Sequence, residues 1–350
     1  HVLNKDQEAI LSQMGEALSS PQHTFGMLNN ADILFGEVTT DDGEKVNLTR
    51  GMYAKLIEDT NREKRKEAYK AYYKPYVQLK NSIASTLSAA IKNNVTVSKL
   101  RNYPSALEKS LFGDMVPKEV YENLIDTTKK NIQTLHTYNE IRKEKLNVDE
   151  LRQYDLGVDL VEGAKQDIPY SEAFDIMIAS LAPLGEEYIE TLKSFKDKRY
   201  IDVRETPGKR SGAYNFGVYG VHPFILLNHH DDLNSLFTLT HECGHGMHTH
   251  YSHGYQPRIS AHYSIFVAEV ASTVNEVLLI HYLLKEAKET NVRNHLVNHF
   301  IEKFKGTFFT QIMFAEFEKI THEMAEQGKP LNAQVFSEIY EKLFKEYNGD

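Results

Sequence analysis

The sequence predicts a mainly α-helical protein with one small antiparallel β-sheet, which precedes a helix that carries paired histidines. Long segments repeat apolar and aromatic residues at three- and four-residue spacing among Lys and Glu. One segment, 200–228, breaks that spacing with Gly, Pro, aromatic and β-branched residues. The composition, 41% hydrophobic and 25% charged, is typical of a globular protein.

The first part of the chain is predicted to be helical, most clearly over 51–74 and 117–146. Prolines are predicted to separate the helices, because proline lacks an amide N–H and restricts the residue before it. These prolines are Pro75, Pro104, Pro117 and Pro183. A group of tyrosines at helical spacing is predicted to pack between helices rather than to form a binding cage. These are Tyr69, Tyr72, Tyr73 and Tyr76.

The predicted sheet lies in 200–228. Its last strand is the short apolar run Pro223–Leu227, which follows a glycine-rich loop, Gly212–Gly220. A helix is then predicted to begin near Asp231 or Asp232, either of which could accept hydrogen bonds from its free N–H groups. The motif that follows therefore lies on a helix that is entered from a strand.

Two histidines, His241 and His245, are four residues apart on this predicted helix, and Glu242 directly follows the first. Positions i and i+4 share one helix face, so both imidazoles can reach one ion. Glu242 lies where it could accept a proton from a metal-bound water. A random arrangement of this composition would give roughly 0.1 matches to the pattern. The alternative is a histidine-rich helix exposed to solvent.

The third metal ligand distinguishes the classes of zinc peptidase. A metzincin tail would need a glycine at the position of His248, so that class is excluded. The remaining arrangement takes a carboxylate from a later helix, predicted over 260–284. Glu269 lies there among small apolar residues, where burial would be costly unless the carboxylate is paired or bound to metal. Glu276 is predicted to hydrogen-bond the second ring nitrogen of a ligand histidine, with a surface glutamate as the alternative.

That later helix also carries an apolar stripe, formed by Phe266, Val270, Val274 and Val277. Two further histidines of the motif helix, His248 and His250, are predicted to be structural or to face substrate. The single cysteine, Cys243, points away from both ligand histidines and is predicted to be a packed thiol.

The overall composition excludes several classes of partner and indicates a compartment. A formal net charge of −9 argues against non-specific binding to nucleic acid. No run of eighteen apolar residues is found, so no membrane span is expected. One cysteine rules out internal disulfides and fits a reducing compartment, which indicates the cytoplasm. The oligomeric state is not predicted.

Four segments together resemble the oligoendopeptidase F branch of the thimet-oligopeptidase-like zinc metallopeptidases. They are HPFILLNHHDDLNSLFTLTHECGHGMHTHYS, FVAEVASTVNE, GKRSGAYNFG and YDLGVDLVEGAKQDIPYSEAF. The resemblance implies one zinc ion bound by His241, His245 and Glu269, with Glu242 as general base and then acid. It also implies a helical ellipsoid with a deep channel that admits short unstructured peptides and excludes folded proteins.

The chain departs from the family in one respect. The tyrosine-rich segment that supplies hydroxyl donors to the tetrahedral intermediate is not found, since Tyr340 and Tyr347 lie on an ordinary amphipathic helix. The resemblance therefore predicts a chain truncated at both ends, with a channel-forming region at 1–199 and a zinc catalytic region at 200–350. Loss of one such donor typically lowers kcat by about 10²–10³, so weak cleavage by this chain alone is expected.

The substrate is predicted to lie along the strand Pro223–Leu227, held by strand addition. The residues predicted to contact it are Gly212, Tyr214, Tyr219, His222 and Phe224. A plain flexible hairpin is the alternative for the glycine-rich loop. Two other functions remain open for the chain: a peptide-binding helical protein that keeps a zinc site without efficient hydrolysis, and a structural zinc protein. Structural zinc sites normally have four protein ligands, often cysteines, and one cysteine is too few.

Overall fold

The computed structural model describes residues 1–39, 43–161, 167–206, 209–210 and 212–349. Two compact units divide the chain: His1–Leu160 with Glu302–Asp350, and Val161–Ile301. The boundary predicted between 199 and 200 divides the chain by function, into a channel-forming and a zinc catalytic region, and not into compact units. It stays a prediction. Parts of the family-like segments, at 162–166, 208 and 211, lie outside the described residues.

The predicted mainly α-helical fold is confirmed, since about 70% of the structure is helical. In the described residues the α-helices are α1 (Lys5–Met27), α2 (Arg50–Leu56), α3 (Arg62–Gln78), α4 (Lys80–Leu100), α5 (Ala106–Phe112), α6 (Lys118–Lys130), α7 (Gln133–Lys145), α8 (Tyr170–Ser180), α9 (Glu186–Asp197), α10 (Leu233–Tyr255), α11 (Ile265–Glu286), α12 (Thr290–Phe304), α13 (Thr310–Glu326) and α14 (Ala333–Asn348). The strands are β1 (Glu37–Thr39), β2 (Lys45–Asn47), β3 (Ile201–Asp202), β4 (Tyr214–Phe216) and β5 (Phe224–Leu226).

The helix predicted over 51–74 is two helices, because Asn61 begins α3 by accepting hydrogen bonds from two backbone N–H groups. Pro75 was predicted to end this helix, and that prediction is wrong. Pro75 lies buried within α3. Its ring leaves the carbonyl of Ala71 without a helical donor. That carbonyl accepts instead from the N–H of Gly36, at 3.4 Å. A contact from outside the helix therefore allows α3 to continue past the proline.

The first unit also contains a two-stranded sheet that the sequence did not predict. β1 and β2 pair antiparallel, with Val38 opposite Val46. The strands have three residues each, too few to show a recognisable alternation. Nearby, the ring of Tyr72 stacks on Phe35 and Tyr53 with centroids 4.5 and 4.0 Å apart. These contacts support the predicted packing role of the tyrosines.

The sheet of the second unit has the strand order β3-β5-β4. β4 and β5 are antiparallel, as predicted, but β3 pairs parallel to β5, so the sheet is mixed. The physical reason is the path of the chain. After β3 the chain first forms β4 at the far edge of the sheet and then returns as β5 between β3 and β4. The connection from β3 to β5 is therefore long enough to permit parallel pairing of these two strands. The predicted strand Pro223–Leu227 is thus the central strand of this sheet.

α10 and α11 pack against each other in the core of the second unit, with α8 and α9 beside them. Their most deeply buried apolar side chains are Leu236, Phe237, Leu239, Cys243 and Met247 from α10, and Leu279 and Ile280 from α11. Cys243 is a packed thiol, as predicted, and burial raises the pKa of its sulfur. The core therefore fixes α10 and α11, which carry the predicted metal ligands.

The predicted apolar stripe of α11 is largely exposed on this chain, and Phe266 is 64% exposed. Among the described residues, α11 alone is long and apolar enough to cross a membrane, judged by length and composition. That is a weak indication, because core helices of globular proteins pass the same test. Glu269, Asn275 and Glu276 interrupt its apolar sequence, so the predicted absence of a continuous eighteen-residue apolar run holds.

Candidate metal centre

The helix that carries both histidines begins at a defined cap. The side chain of Asp232 accepts a hydrogen bond from the N–H of Ser235 at 2.7 Å and so forms the N-cap of α10. Asp231, the other predicted cap, has a φ of 60° and bonds Arg204 and the N–H of Tyr170 instead. The short segment after β5 therefore leads directly into α10.

His241, His245 and Glu269 come together although they lie on two helices. The two Nε2 atoms are 3.1 Å apart. Oε2 of Glu269 lies 3.3 Å from Nε2 of His241 and 3.5 Å from Nε2 of His245. Ligand atoms about 2.0–2.1 Å from one zinc ion, at tetrahedral angles, lie roughly 3.3 Å from each other. The separations therefore fit a tetrahedral zinc ion, and the donor set of two imidazoles and one carboxylate suits it.

Glu276 lies where the sequence predicts it, two turns beyond Glu269 on α11. Its Oε1 is 2.5 Å from Nδ1 of His241. A carboxylate at Nδ1 favours the tautomer that carries its proton there and leaves Nε2 free to bind a metal. Burial of His241 disfavours protonation, but the bond to Glu276 and the nearby carboxylates outweigh it and raise the pKa of His241.

The pKa of His245 shifts in the opposite direction to that of His241. Burial and the neighbouring His241 lower its pKa, which keeps its imidazole neutral and able to donate a lone pair. The backbone of Ala268, next to Glu269, hydrogen-bonds this ring. The two histidines are therefore held by separate partners on the same neighbouring helix.

Glu269 is not buried, although its neighbours in sequence are apolar. Its side chain is 63% exposed. The reason is the orientation of α11, which turns the carboxylate toward the histidines and leaves much of it open to solvent. The hydroxyl of Ser272 lies 2.9 Å from the same Oε2.

Glu242 lies on the inner side of α10 and is 7% exposed. Burial raises the pKa of its carboxyl, while the charge of His241 and a hydrogen bond from the backbone of Asn215 act in the opposite direction. Its Oε2 is buried and has no hydrogen-bond partner among the described groups. A buried carboxylate oxygen of this kind needs a donor, and a water held at the metal would supply one.

The other histidines of α10 have packing partners. The ring of His248 stacks on Tyr263 with centroids 3.6 Å apart, and burial lowers its pKa. His250 packs edge-on against Phe195 and Tyr251. These contacts agree with the structural role predicted as one of two possibilities.

The predicted substrate-contacting residues lie in several places. The predicted loop Gly212–Gly220 contains β4, and Asn215 of β4 hydrogen-bonds Glu242 through its backbone and Thr249 through its side chain. Tyr214 is an exposed residue of this strand, and Gly212 precedes it with a φ of +87°.

The remaining candidates lie farther along the sheet and α10. The hydroxyl of Tyr219 donates to the carbonyl of Gln256, near the end of α10. The ring of His222 stacks on Tyr200 and contacts Phe224, at centroid distances of 3.6 and 4.3 Å. The structure thus places Tyr214 on the strand that touches the motif helix, and it gives His222 and Phe224 contacts with each other.

Two residues that contact the site were not predicted from the sequence. Asn215 carries no signal in sequence, because its bond to Glu242 depends on the sheet packing against α10. Ser272 could have been noticed, since residues three apart on a helix are neighbours and it follows Glu269 by three.

Two family models match this chain. A family model described as "Peptidase family M3" matches residues 55–350, and one described as "Oligopeptidase F" matches residues 1–35. Oligopeptidase PepF of Bacillus subtilis is 45% identical over 350 residues, which cover 100% of this chain and 52% of that protein. Group B oligopeptidase PepB of Streptococcus agalactiae is 38% identical over 349 residues, covering 100% and 58%.

The solved structure of oligoendopeptidase-F from Enterococcus faecium has a TM-score of 0.76 and 36% identity, and the match covers 100% of this chain and 56% of that one. The chain thus spans between about half and three-fifths of the length of these relatives. The family model matches most of the chain, and the candidate metal-ligand cluster lies within the matched region. The chain belongs to peptidase family M3.

Proposed function

We propose that this chain is the zinc-binding part of an oligoendopeptidase that hydrolyses short, unstructured peptides. The observation that carries the proposal is the convergence of His241, His245 and Glu269, whose ligand atoms all lie within 4.8 Å of one another. Membership of a metallopeptidase family and relatives named as oligopeptidases support the substrate class.

His241, His245 and Glu269 would hold one zinc ion. When bound, zinc supplies a Lewis acid that polarises a peptide carbonyl and makes a water molecule more acidic. Glu276 acts on this site through His241, because its carboxylate holds the Nδ1 proton and turns Nε2 toward the other two ligands.

Glu242 is the proposed proton carrier. Its buried carboxyl has a raised pKa, which brings it closer to neutral pH than a solvated glutamate and improves it as an acid after it has acted as a base. The carboxylate first takes a proton from the attacking water. It then gives that proton to the amine that departs when the peptide bond breaks.

The substrate strand needs a different position from the one predicted. β5 is bonded to β3 on one side and to β4 on the other, so it cannot accept a further strand. β4 has β5 on one side, and no other described strand pairs with its second edge. We therefore assign backbone pairing with an extended peptide to β4, which the bond between Asn215 and Glu242 places beside the motif.

The proposed compartment is the cytoplasm. The single cysteine is buried and cannot form an internal disulfide, which suits a protein of a reducing compartment. Localisation of a fluorescent fusion in the cell tests this assignment, and export of the fusion would contradict it.

The substitution Glu242→Gln tests the proposed function. The variant should keep stoichiometric zinc, because residue 242 is not a ligand, and lose cleavage of an internally quenched peptide by about 10²–10⁴-fold. The measurements are zinc content by mass spectrometry and peptide turnover with and without a chelator, both on the full chain. His245→Ala is the matched control, which should lose zinc as well as turnover.

The results separate the proposal from its alternatives. Cleavage by Glu242→Gln at the wild-type rate would show that the assigned base is wrong. Wild-type chain that binds zinc and peptide but gives no chelator-sensitive turnover would instead support a peptide-binding protein that retained its metal site.

A further inference from the structure

The helices α10 and α11 lie in close backbone contact at Gly244, which lies between His241 and His245 in sequence. A Cβ atom built on this residue would lie 2.7 Å from Cα of Ser272 and 2.8 Å from the carbonyl oxygen of Ala271. Both are backbone atoms, which cannot turn aside as a flexible side chain can. Any side chain larger than hydrogen at residue 244 would therefore push the two helices apart.

The residue reached by this close approach, Ser272, is fully buried. Its hydroxyl oxygen lies 2.9 Å from Oε2 of Glu269 and 3.0 Å from the backbone carbonyl oxygen of the same residue. That same Oε2 is the atom that faces both histidines. A carboxylate oxygen has two lone pairs, so it can accept from a hydroxyl while it faces a metal.

Glu269 needs such a partner because its side chain is largely exposed. A glutamate in solvent samples many rotamers, and fixing one costs conformational entropy. The backbone of Ser272 is held in place by the backbone of α10 at Gly244, and its hydroxyl is within hydrogen-bonding distance of Glu269. Through this hydroxyl, the contact between the helices fixes the position of a hydrogen-bond donor to Glu269, the most exposed of the three candidate ligands.

We propose that Ser272 is a positioning residue that orients the Glu269 carboxylate for the metal, and that the absence of a side chain at Gly244 allows it to do so. The inference rests on the proposed function, because it concerns the affinity of the same metal site. Partners that orient metal ligands typically contribute about 10–100-fold to metal affinity.

Zinc affinity of the metal-free full chain, measured by competition with a chromophoric chelator, tests this role. Ser272→Ala should weaken zinc binding roughly tenfold. The matched control is Thr273→Val on the next residue of α11, whose hydroxyl bonds the backbone carbonyls of Glu269 and Val270 but not the carboxylate. The control should bind zinc as the wild type does.

Gly244→Ala tests the same contact from the opposite helix and should also weaken zinc binding, by roughly tenfold or more. Its matched control is Gly254→Ala in the same helix, where an added Cβ meets nothing within 4 Å. Circular dichroism and thermal unfolding of each metal-free variant establish that it is folded. Ser272→Ala and Gly244→Ala lie on different helices. If one of these variants fails to fold, the zinc affinity of the other still tests the proposed role.

A double-mutant cycle distinguishes positioning of the ligand from a general effect on α11. In a Glu269→Ala background the chain should bind zinc weakly through the two histidines, and Ser272→Ala should then cause no further loss. Wild-type affinity in Ser272→Ala, or an equal loss without the Glu269 carboxylate, would overturn the inference. A wild-type chain that binds zinc no better than His245→Ala would overturn the proposed function itself.

Discussion

Asp155 is a buried carboxylate in the first unit, paired with two arginines. Its oxygens lie 2.8 Å from the guanidinium groups of Arg62 and Arg65, and the N–H of Arg152 donates to it at 3.0 Å. Burial acts to raise the pKa of this carboxyl, but the hydrogen bonds from the two arginines outweigh it, and its pKa is lowered. The charged form of Asp155 therefore stabilises the folded chain.

Asp155→Asn should lower the free energy of unfolding at pH 7 by on the order of 3 kcal/mol, since it leaves two arginines without their counter-ion. A carboxyl whose folded pKa is lowered contributes stability above its unfolded pKa of about 3.9. That contribution is lost as the pH falls through the folded pKa. The difference between wild type and variant should therefore narrow below about pH 4.

Urea unfolding at pH 7, 5 and 3.5 measures this difference. Arg65→Gln is a useful comparison, because it removes the buried arginine that pairs with Asp155. A difference between wild type and Asp155→Asn that stays constant down to pH 3.5 would contradict the assigned role of the ion pair.

At the scale of the element, the stability of α10 depends on the residue that caps its N-terminus. Asp232 caps the helix, and His241 follows two and a half turns later. Asp232→Ala should lower the free energy of unfolding by about 1 kcal/mol, because the N–H of Ser235 loses its acceptor. Asp232→Asn keeps an acceptor and should be close to wild type. Equal destabilisation by both substitutions, measured by urea unfolding, would show that the cap has no such role.

The closeness of α10 and α11 is also a property of elements rather than of single residues. The N–H of the Asn275 side chain donates to the carbonyl of Thr240, and the hydroxyl of Tyr188 donates to Asn275. These bonds lie one turn from the Gly244–Ser272 contact on each helix. Together they set the distance across which Glu269 reaches the histidines.

At the scale of the whole molecule, one bound ion would join two helices of the second unit. A ligand that binds only the folded state stabilises it by about 2.7 kcal/mol at a hundred times its Kd. Zinc should therefore raise the Tm of the metal-free chain, and hydrogen exchange should slow in α10 and α11. His245→Ala should show neither change. If zinc raised its Tm as much as that of the wild type, the metal would be binding elsewhere.

Much of the fold could be predicted because helical periodicity is a local property. The spacing of apolar residues identified several helical segments but not their breaks, since the helix predicted over 117–146 is the two helices α6 and α7. The pitch of an α-helix alone places the two imidazoles of the His241 motif on one face. Pro75 shows the limit of such local rules: the donor that lets α3 continue, Gly36, is distant in sequence. The strands β1 and β2 were missed because three residues are too short for an alternating pattern.

By itself the sequence determined the helical class, the paired histidines with Glu242 between them, and, with the family resemblance, the choice of Glu269. Only the tertiary structure decided that β4 is an edge strand of the described sheet whereas β5 is central, that Glu269 is exposed, and that Ser272 reaches it. The physical reason is that ligand spacing on one helix follows from its pitch. The contact of Gly244 with Ser272 depends instead on how two helices pack, which no spacing within either helix specifies.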